Sequence, residues 1–430
     1  MYVGNIMKSS RRILYLFIVF SGFVSCNFAE TKNKLINTEH LDYLYEDISI
    51  DGKDMAIIHI YSEYPDYKYV GDQDEGIACI DDAARAALFY LEYYHYTMDE
   101  DYLTKNKKLL KFILHLQAEN GYFYNFIWPD YSINKSFKTS VAEPDWWSWR
   151  ALWVLSESYS AYVENDKEFA DEIWNSIERI LIPLKNQIPQ HKNLIFHSGI
   201  ELPTWLQKKY ASDQTSVLLL GLINYYKYSK DETVYNYIQM LCEGIRKMQV
   251  RNKDCKFNGV FLSWENTWHA WGNSQSYALL KAFKLLKDDN ILSNVRLELN
   301  NFYPILYETG YLNYFTISKD DSVISINNEE KFSQIAYNIR PIVYSLLEAY
   351  EISGDKMYAE LAGKIAKWFI GKNPFNGKIY DEKTGIIFDG ILSEKEVNRN
   401  SGAESTIEGL LTLLRIVQNK IALNEFESKL

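Results

Sequence analysis

Carboxylates stand where apolar helices open in this 430-residue chain, and acids placed in that way are candidates for general acid–base chemistry. The plainest case is Glu404. A polar, Gly-containing loop, 397–403, runs into it, and Ile407, Leu410, Leu411, Leu414, Ile416 and Val417 follow at helical spacing. Glu404 is therefore expected in the first turn of a helix. Ser401 and Glu404 also fit a capping box, which carries no chemistry. The arrangement recurs upstream. Asp81-Asp82 opens 83–96, Glu143-Pro144-Asp145 opens 146–162, Asp213 opens 214–228, and Asn273, followed by Gln275, leads 274–286. Asp and Asn are preferred N-caps, and acids favour the positive end of a helix. That suffices for Asp213 and Asn273 taken singly. Adjacent Asp81-Asp82 is more than one cap needs.

The loops that feed these helices carry aromatic residues, from a chain with 34 Tyr, 21 Phe and 11 Trp. Tyr122, Phe123, Tyr124, Phe126 and Trp128 precede the second helix, and His197 and Trp205 the third. Trp264, Trp268, His269 and Trp271 precede the fourth; Tyr311, Tyr314 and Phe315 the fifth; Phe375 and Tyr380 the sixth. Flat faces with polar handles suit sugar rings, and the alternative is loops folding on one another. The collection favours sugar stacking. The binding candidates are Trp128, Trp146, Trp264, Trp268, His269 and Trp271, with Arg399 and Asn400 as polar contacts.

The elements that must position these residues are helices almost throughout from Ile80 onward. Each helix of the first kind, except the last at 402–419, is followed by a partner: 102–117, 167–184, 232–250, 291–306 and 356–370. The fifth of the first kind is expected over 332–352. The unit recurs roughly every 60 to 70 residues, longer than solenoid periods of about 20 to 50. Six helical hairpins can close into an all-α (α/α)6 toroid, with inner helices apolar nearly all round, as 146–162 is, and amphipathic outer ones, as 102–117 is. In that fold the inner N-termini share one face, which brings the acids and the aromatic loops together. A TPR-like superhelix is the alternative, and the long uneven loops argue against it. Residues 38–75 are mixed, and 55–61 suits a short strand or part of a helix.

Two carboxylates converging over an aromatic floor are what glycoside hydrolysis requires: one protonates the leaving oxygen while the other activates water or attacks the sugar. The segment Trp368-Phe369-Ile370-Gly371-Lys372-Asn373-Pro374-Phe375 resembles the W-x-x-G-x-N-P segment of glycoside hydrolase family nine. That resemblance implies a six-hairpin toroid with an acidic pair near the first inner helix and a Glu opening the last, the places held here by Asp81-Asp82 and Glu404. The pair is adjacent here rather than D-x-x-D, and the family's His motif is absent. The stretches Cys79 to Ala86 and Asn398 to Thr406 are similar instead to motifs of a less characterised branch of six-hairpin carbohydrate-active proteins. The resemblance implies the fold for most of 75–420.

The expected function is an exported glycoside hydrolase acting on a poly- or oligosaccharide, with Glu404 as general acid and Asp81 or Asp82 as base. Glu143 or Asp145 is the rival for either role. A toroid polysaccharide lyase would instead use Tyr and His, such as His197 or His269, with Arg399, Arg340 or Lys372 neutralising a uronate. A sugar epimerase using paired His, and a glycan-binding protein without catalysis, are further alternatives.

Lys8, Arg11 and Arg12 precede an apolar run, 13–24, that ends at Ser25-Cys26. This pattern resembles a bacterial lipoprotein signal over 1–25, with Cys26 lipidated, 26–37 a tether and 38–430 the toroid; an ordinary signal peptide cut nearby is the alternative. The protein would then be lipid-anchored to the cell envelope, periplasmic or surface-facing. A net charge of −11 without a basic block argues against nucleic acid. Cys79, Cys242 and Cys255 have no metal-ligand spacing, so neither zinc nor a cofactor is expected, and at most one disulfide, Cys242–Cys255.

Overall fold

The computed structural model describes residues 35–429; the expected signal segment, Cys26 and most of the expected tether lie outside the described residues. Residues 35–37 are docked on the body: Ile36 is buried, and the Tyr380 hydroxyl donates to the Leu35 carbonyl at 2.8 Å.

A short helix α1 (Glu39–Leu44) precedes six helical pairs. They are α2 (Ile80–Thr97) with α3 (Glu100–His115), α4 (Trp146–Tyr162) with α5 (Lys167–Asn186), and α6 (Ser212–Ser229) with α7 (Glu232–Lys247). Next, α8 (Gln275–Leu286) pairs with α9 (Asp289–Leu297), which runs through a π-helical stretch Glu298–Phe302 into α10 (Tyr303–Thr309). Last come α11 (Ala336–Ser353) with α12 (Lys356–Ala366), and α13 (Ala403–Val417) with α14 (Lys420–Glu427). The first helix of each pair packs on the first of the next, from α2 through α4, α6, α8 and α11 to α13, and α13 packs back on α2. This closed ring is the (α/α)6 toroid.

Local sequence explains the hairpins. Asp99, Asp166, Asp231, Asp288, Asp355 and Asn419 each accept a backbone N–H at the start of an outer helix. Each such cap is worth about 1 kcal/mol. Inner helices α2, α6, α8 and α11 end on residues in the left-handed region, Met98, Lys230, Lys287 and Gly354, which turn the chain into that cap. Inner helices lie between two neighbours and the outer layer, so α6 is buried continuously over 212–225. The outer α3 buries only a stripe of Asn106, Leu109, Leu110, Phe112 and Ile113.

The C-terminal halves of the inner helices fill the far end of the ring with charge. Glu348 of α11 is fully buried and lies 3.7 Å from Lys281 of α8 and 3.8 Å from Arg415 of α13. The Tyr344 hydroxyl reaches Glu92 of α2 at 3.3 Å, and Asn224 of α6 donates to Glu157 of α4. These polar links, one set joining α2, α8, α11 and α13 and another joining α4 and α6, occupy that end, while the cleft lies at the N-terminal end.

The chain departs from the expectation in three places. Thirteen short strands pair antiparallel in the loops of the described residues, mostly as hairpins; Lys53–Ile58, paired with Tyr45–Ile50 against α3, takes the strand alternative for 55–61, and the others were not expected. Long loops must satisfy their own backbone groups, and pairing into ribbons does so. A sixth outer helix, α14, follows the capping Asn419, where none was expected. The fifth inner helix begins at Ala336 rather than 332, because Gln334 exchanges backbone hydrogen bonds with Ile391 at 2.8 and 3.0 Å. All three described cysteines are free and buried.

Candidate active site

At the N-terminal end of the ring the first turns of α2, α4, α11 and α13 line a cleft with two arms. The wider, about 560 Å³, is walled by Trp146, Trp147, Trp271, Phe126 and Asn125, with Asp81, Arg85 and Arg150. The narrower, about 300 Å³, is lined by Asp389, Gly390, Leu392, Asn398, Gly402 and Ser405. Both arms are bounded by Tyr61, Asp82, Tyr337 and Glu404.

The acids that meet here are not serving as simple caps. The N-cap of α2 is Cys79, whose Sγ accepts from the Asp82 amide at 3.4 Å, so neither Asp81 nor Asp82 is the cap residue. Glu404 makes no capping box with Ser401; its side chain reaches across to α2 instead. The first turn of α13 is held by Asp389, whose Oδ1 accepts from the Gly402 amide at 2.8 Å and the Ser405 hydroxyl at 2.6 Å.

Arg85 organises the site. Its Nη1 donates to Asp82 at 2.8 Å, its Nη2 to Glu404 at 2.6 Å, and its Nε lies 3.0 Å from the fully buried Glu408, which also pairs with Arg340. Burial works against the Arg85 charge, but Glu404 and Asp82 outweigh it and hold the guanidinium protonated. Two carboxylates on adjacent nitrogens of one guanidinium are near neighbours. Asp81 pairs with Arg150 and accepts from the Asn125 amide at 3.3 Å. Arg150 donates to the Tyr337 hydroxyl at 2.8 Å, and Arg85 stands 5.0 Å from the centre of that ring. One tyrosine thus forms the floor between two ion pairs.

These surroundings act on the acids. Glu404 keeps 42% of its side chain open to the cleft, yet burial below the rim raises its pKa. Arg85 opposes that shift, while Asp82 and Glu408 add to it. Asp82 is raised by burial against the pull of Arg85. Asp389 is raised by burial against its bonds from Ser405 and Gly402. A carboxyl held high beside other carboxylates suits a proton donor.

Other sequence candidates lie elsewhere. Glu143 and Asp145 share Lys208, at 3.0 and 2.8 Å, and Asp145 also caps α4 and accepts from Gln214 at 2.7 Å. Neither lines the cleft. Asp213 is buried against His269 Nε2 at 3.0 Å, and His269 Nδ1 faces the Trp271 carbonyl at 3.0 Å. His269 touches the site only by stacking on Trp271, ring centres 3.8 Å apart. Asn273 and Gln275 bond to Ser263 and Ser212 between the loops.

Of the aromatic candidates, Trp146 and Trp271 face the wide arm, whereas Trp128, Trp264 and Trp268 do not. Trp268 is buried against Phe302 and Phe315, and Trp264 donates to the Lys209 carbonyl at 3.1 Å. Tyr122, Phe123, Trp205, Tyr311, Phe315 and Tyr380 are likewise buried. Most loop aromatics therefore pack loops on one another, since ribbons lying on the ring create their own small cores. Arg399 sits over the Tyr64 ring at 5.5 Å, and Asn400 accepts from the Tyr64 amide at 3.0 Å; neither lines an arm. Arg340 is sealed below the floor, while Lys372 and His197 are exposed away from both arms.

Sequence reasoning missed Asp389, Arg85, Arg150 and Tyr337. The two arginines follow an acid opening at i+3 to i+5 on inner helices, a signal the sequence does hold. Asp389 lies in a loop with no pattern to mark it. Among the described residues no group of His, Cys, Asp and Glu is arranged to hold a metal ion.

No protein-family model matches the chain, and no curated protein matches it in sequence. In structure it is similar to cellobiose 2-epimerase from Bacillus thermoamylovorans, with a TM-score of 0.60 at 14% identity over 89% of this chain and 97% of that one. A family 76 glycoside hydrolase from a bovine Bacteroides thetaiotaomicron strain gives 0.56 at 14% identity, over 90% and 77%. A polysaccharide lyase gives 0.52 at 11%, over 81% and 92%. At such identities the likeness is one of fold, that of the six-hairpin toroids.

Proposed function

We propose that this six-hairpin toroid is a glycoside hydrolase acting on a poly- or oligosaccharide by carboxylate acid–base catalysis. The carrying observation is that Glu404 and Asp82 share Arg85 at the junction of both arms, with Asp81 beside them under a tryptophan wall. Carbohydrate-processing enzymes among the structural neighbours support the substrate class.

Glu404 is the general acid, because its surroundings raise its pKa while its side chain stays open to the cleft. Of the two aspartates, Asp81 is the better base. Its side chain is 20% exposed, whereas that of Asp82 is 4% exposed and enclosed by Arg85 and Cys79. A base must touch the water it activates. Asp82 then acts through Arg85, fixing the guanidinium and adding negative charge beside Glu404.

Lyase or epimerase chemistry by histidine is less well supported: among the described residues no His lines either arm, and both nitrogens of His269 are engaged. Export with a lipid anchor at Cys26 completes the proposal. The test is digestion of a polysaccharide panel, following reducing ends together with the absorbance of unsaturated uronates. Reducing ends without new double bonds are expected; new double bonds would replace the hydrolase with a lyase.

A further inference from the structure

We infer that the cleft takes an uncharged glycan and rejects uronate-bearing ones, and that Asp389 receives a hydroxyl of the sugar held in the narrow arm. This rests on the reading of the ligand as carbohydrate and goes further, to its charge and to a residue that the sequence did not mark.

The charges carry the first half. The ionisable acids along the two arms are Glu75, Asp81, Asp82, Asp389 and Glu404, against only Arg85 and Arg150. Both guanidiniums are already engaged, Arg85 by Asp82, Glu404 and Glu408, and Arg150 by Asp81 and the Tyr337 hydroxyl. A uronate carboxylate entering the wide arm would have to displace one of these partners. In the narrow arm it would meet Asp389 beside the Arg85-paired Asp82, with no Lys, Arg or His among the lining residues to receive it; Glu404, protonated as the acid, offers it no countercharge. A like charge brought beside Asp389, partly shielded from water, is repelled. Sugar hydroxyls, in contrast, are donors that carboxylates accept well.

The geometry of Asp389 carries the second half. Its Oδ1 is fixed by the Gly402 amide and the Ser405 hydroxyl, and among the described residues its Oδ2 has no hydrogen-bond donor. The oriented carboxylate thus keeps one acceptor unused on the wall of a cavity of about 300 Å³, at the low end for small-ligand sites. The wall is rigid. A Cβ at Gly402 would stand 2.8 Å from the Ile60 carbonyl, and one at Gly390 2.8 Å from the Gln334 carbonyl, so backbone meets backbone there. Tyr61 and Tyr337 supply flat faces beside the acceptor.

The experiment is saturation-transfer NMR on the whole chain with three matched pairs at millimolar concentration: glucose and glucuronate, galactose and galacturonate, mannose and mannuronate. At least one neutral sugar is expected to bind, with its uronate at least about tenfold weaker. Asp389→Asn keeps an oxygen for Gly402 and Ser405 but replaces the free acceptor with a donor. It should weaken the neutral sugar by roughly tenfold or more, with the melting temperature unchanged. A uronate that binds as well as its neutral partner overturns the inference, as does binding of neither member of any pair. Unchanged affinity in Asp389→Asn removes the role of that residue. Should the variant fold poorly, the wild-type pairs still decide the question of charge. Hydrolysis of uronate polymers would sink this inference and leave the hydrolase standing; neutral-sugar binding without turnover of any polysaccharide would do the reverse.

Discussion

Glu404 and Arg85 stand 319 positions apart in the chain, and Arg85 Nη2 donates to Glu404 Oε2 at 2.6 Å. They belong to the last and first inner helices, so this bond spans the seam where the ring closes. Closure of the ring and assembly of the candidate site therefore share this contact. The buried Glu408, one turn further along α13, holds the same guanidinium and pairs in turn with Arg340 of α11. Removing one member of such a buried set leaves uncompensated charge, which typically costs about 3–5 kcal/mol.

Glu404→Gln should slow hydrolysis of natural glycosides by about 10²–10⁴. An activated aryl glycoside, whose leaving group needs no proton, should lose far less. Because burial raises the Glu404 pKa, loss of its proton should form the basic limb of the pH–rate profile, and that limb should flatten in the variant. Equal losses on both substrates would make Glu404 a binding residue.

Asp81→Asn and Asp82→Asn should separate. The first should cost about 10²–10⁴ in turnover per folded molecule, beyond the stability lost as Arg150 gives up its carboxylate partner. The second should chiefly destabilise the protein, because Asp82 is a buried partner of Arg85. Full activity per folded molecule in Asp81→Asn would move the base elsewhere.

Glu298, in the π-helical stretch, is pushed up to about 7 by burial, although the Phe261 amide and the Ser276 hydroxyl pull it down. Its folded pKa thus lies above the ordinary carboxylate value. The native state holds a proton that the unfolded chain has released, so stability is full below about pH 4.5 and falls as pH rises towards 7. Urea midpoints at pH 5 and pH 7.5 should show a wild-type loss of about 2–3 kcal/mol that Glu298→Gln lacks. Parallel losses in the two proteins would remove Glu298 as the cause.

Cys26→Ser should move the protein from the membrane fraction to the soluble fraction of its host, as read by fractionation and blotting. Equal partition of variant and wild type would remove the lipid anchor.

The sequence alone determined five of the six helical pairs, the order of the inner helices, and the acids at the openings of the first and last of them. These are local properties, written in 3.6-residue periodicity and in capping residues such as Asp99 and Asp231. The toroid follows from six such pairs with unequal loops. Which acids face a common cleft was decided only in three dimensions. Glu143 and Asp145 open α4 just as Asp81 and Asp82 open α2, yet Lys208 draws the former pair away from the cleft while Arg85 and Arg150 hold the latter in it. Burial of the loop aromatics was likewise a tertiary outcome, because ribbon pairing covers Trp268 and Phe315 but leaves Trp271 open. Asp389 joins the site only because its loop folds back onto the start of α13, a contact set by packing and by no pattern along the chain.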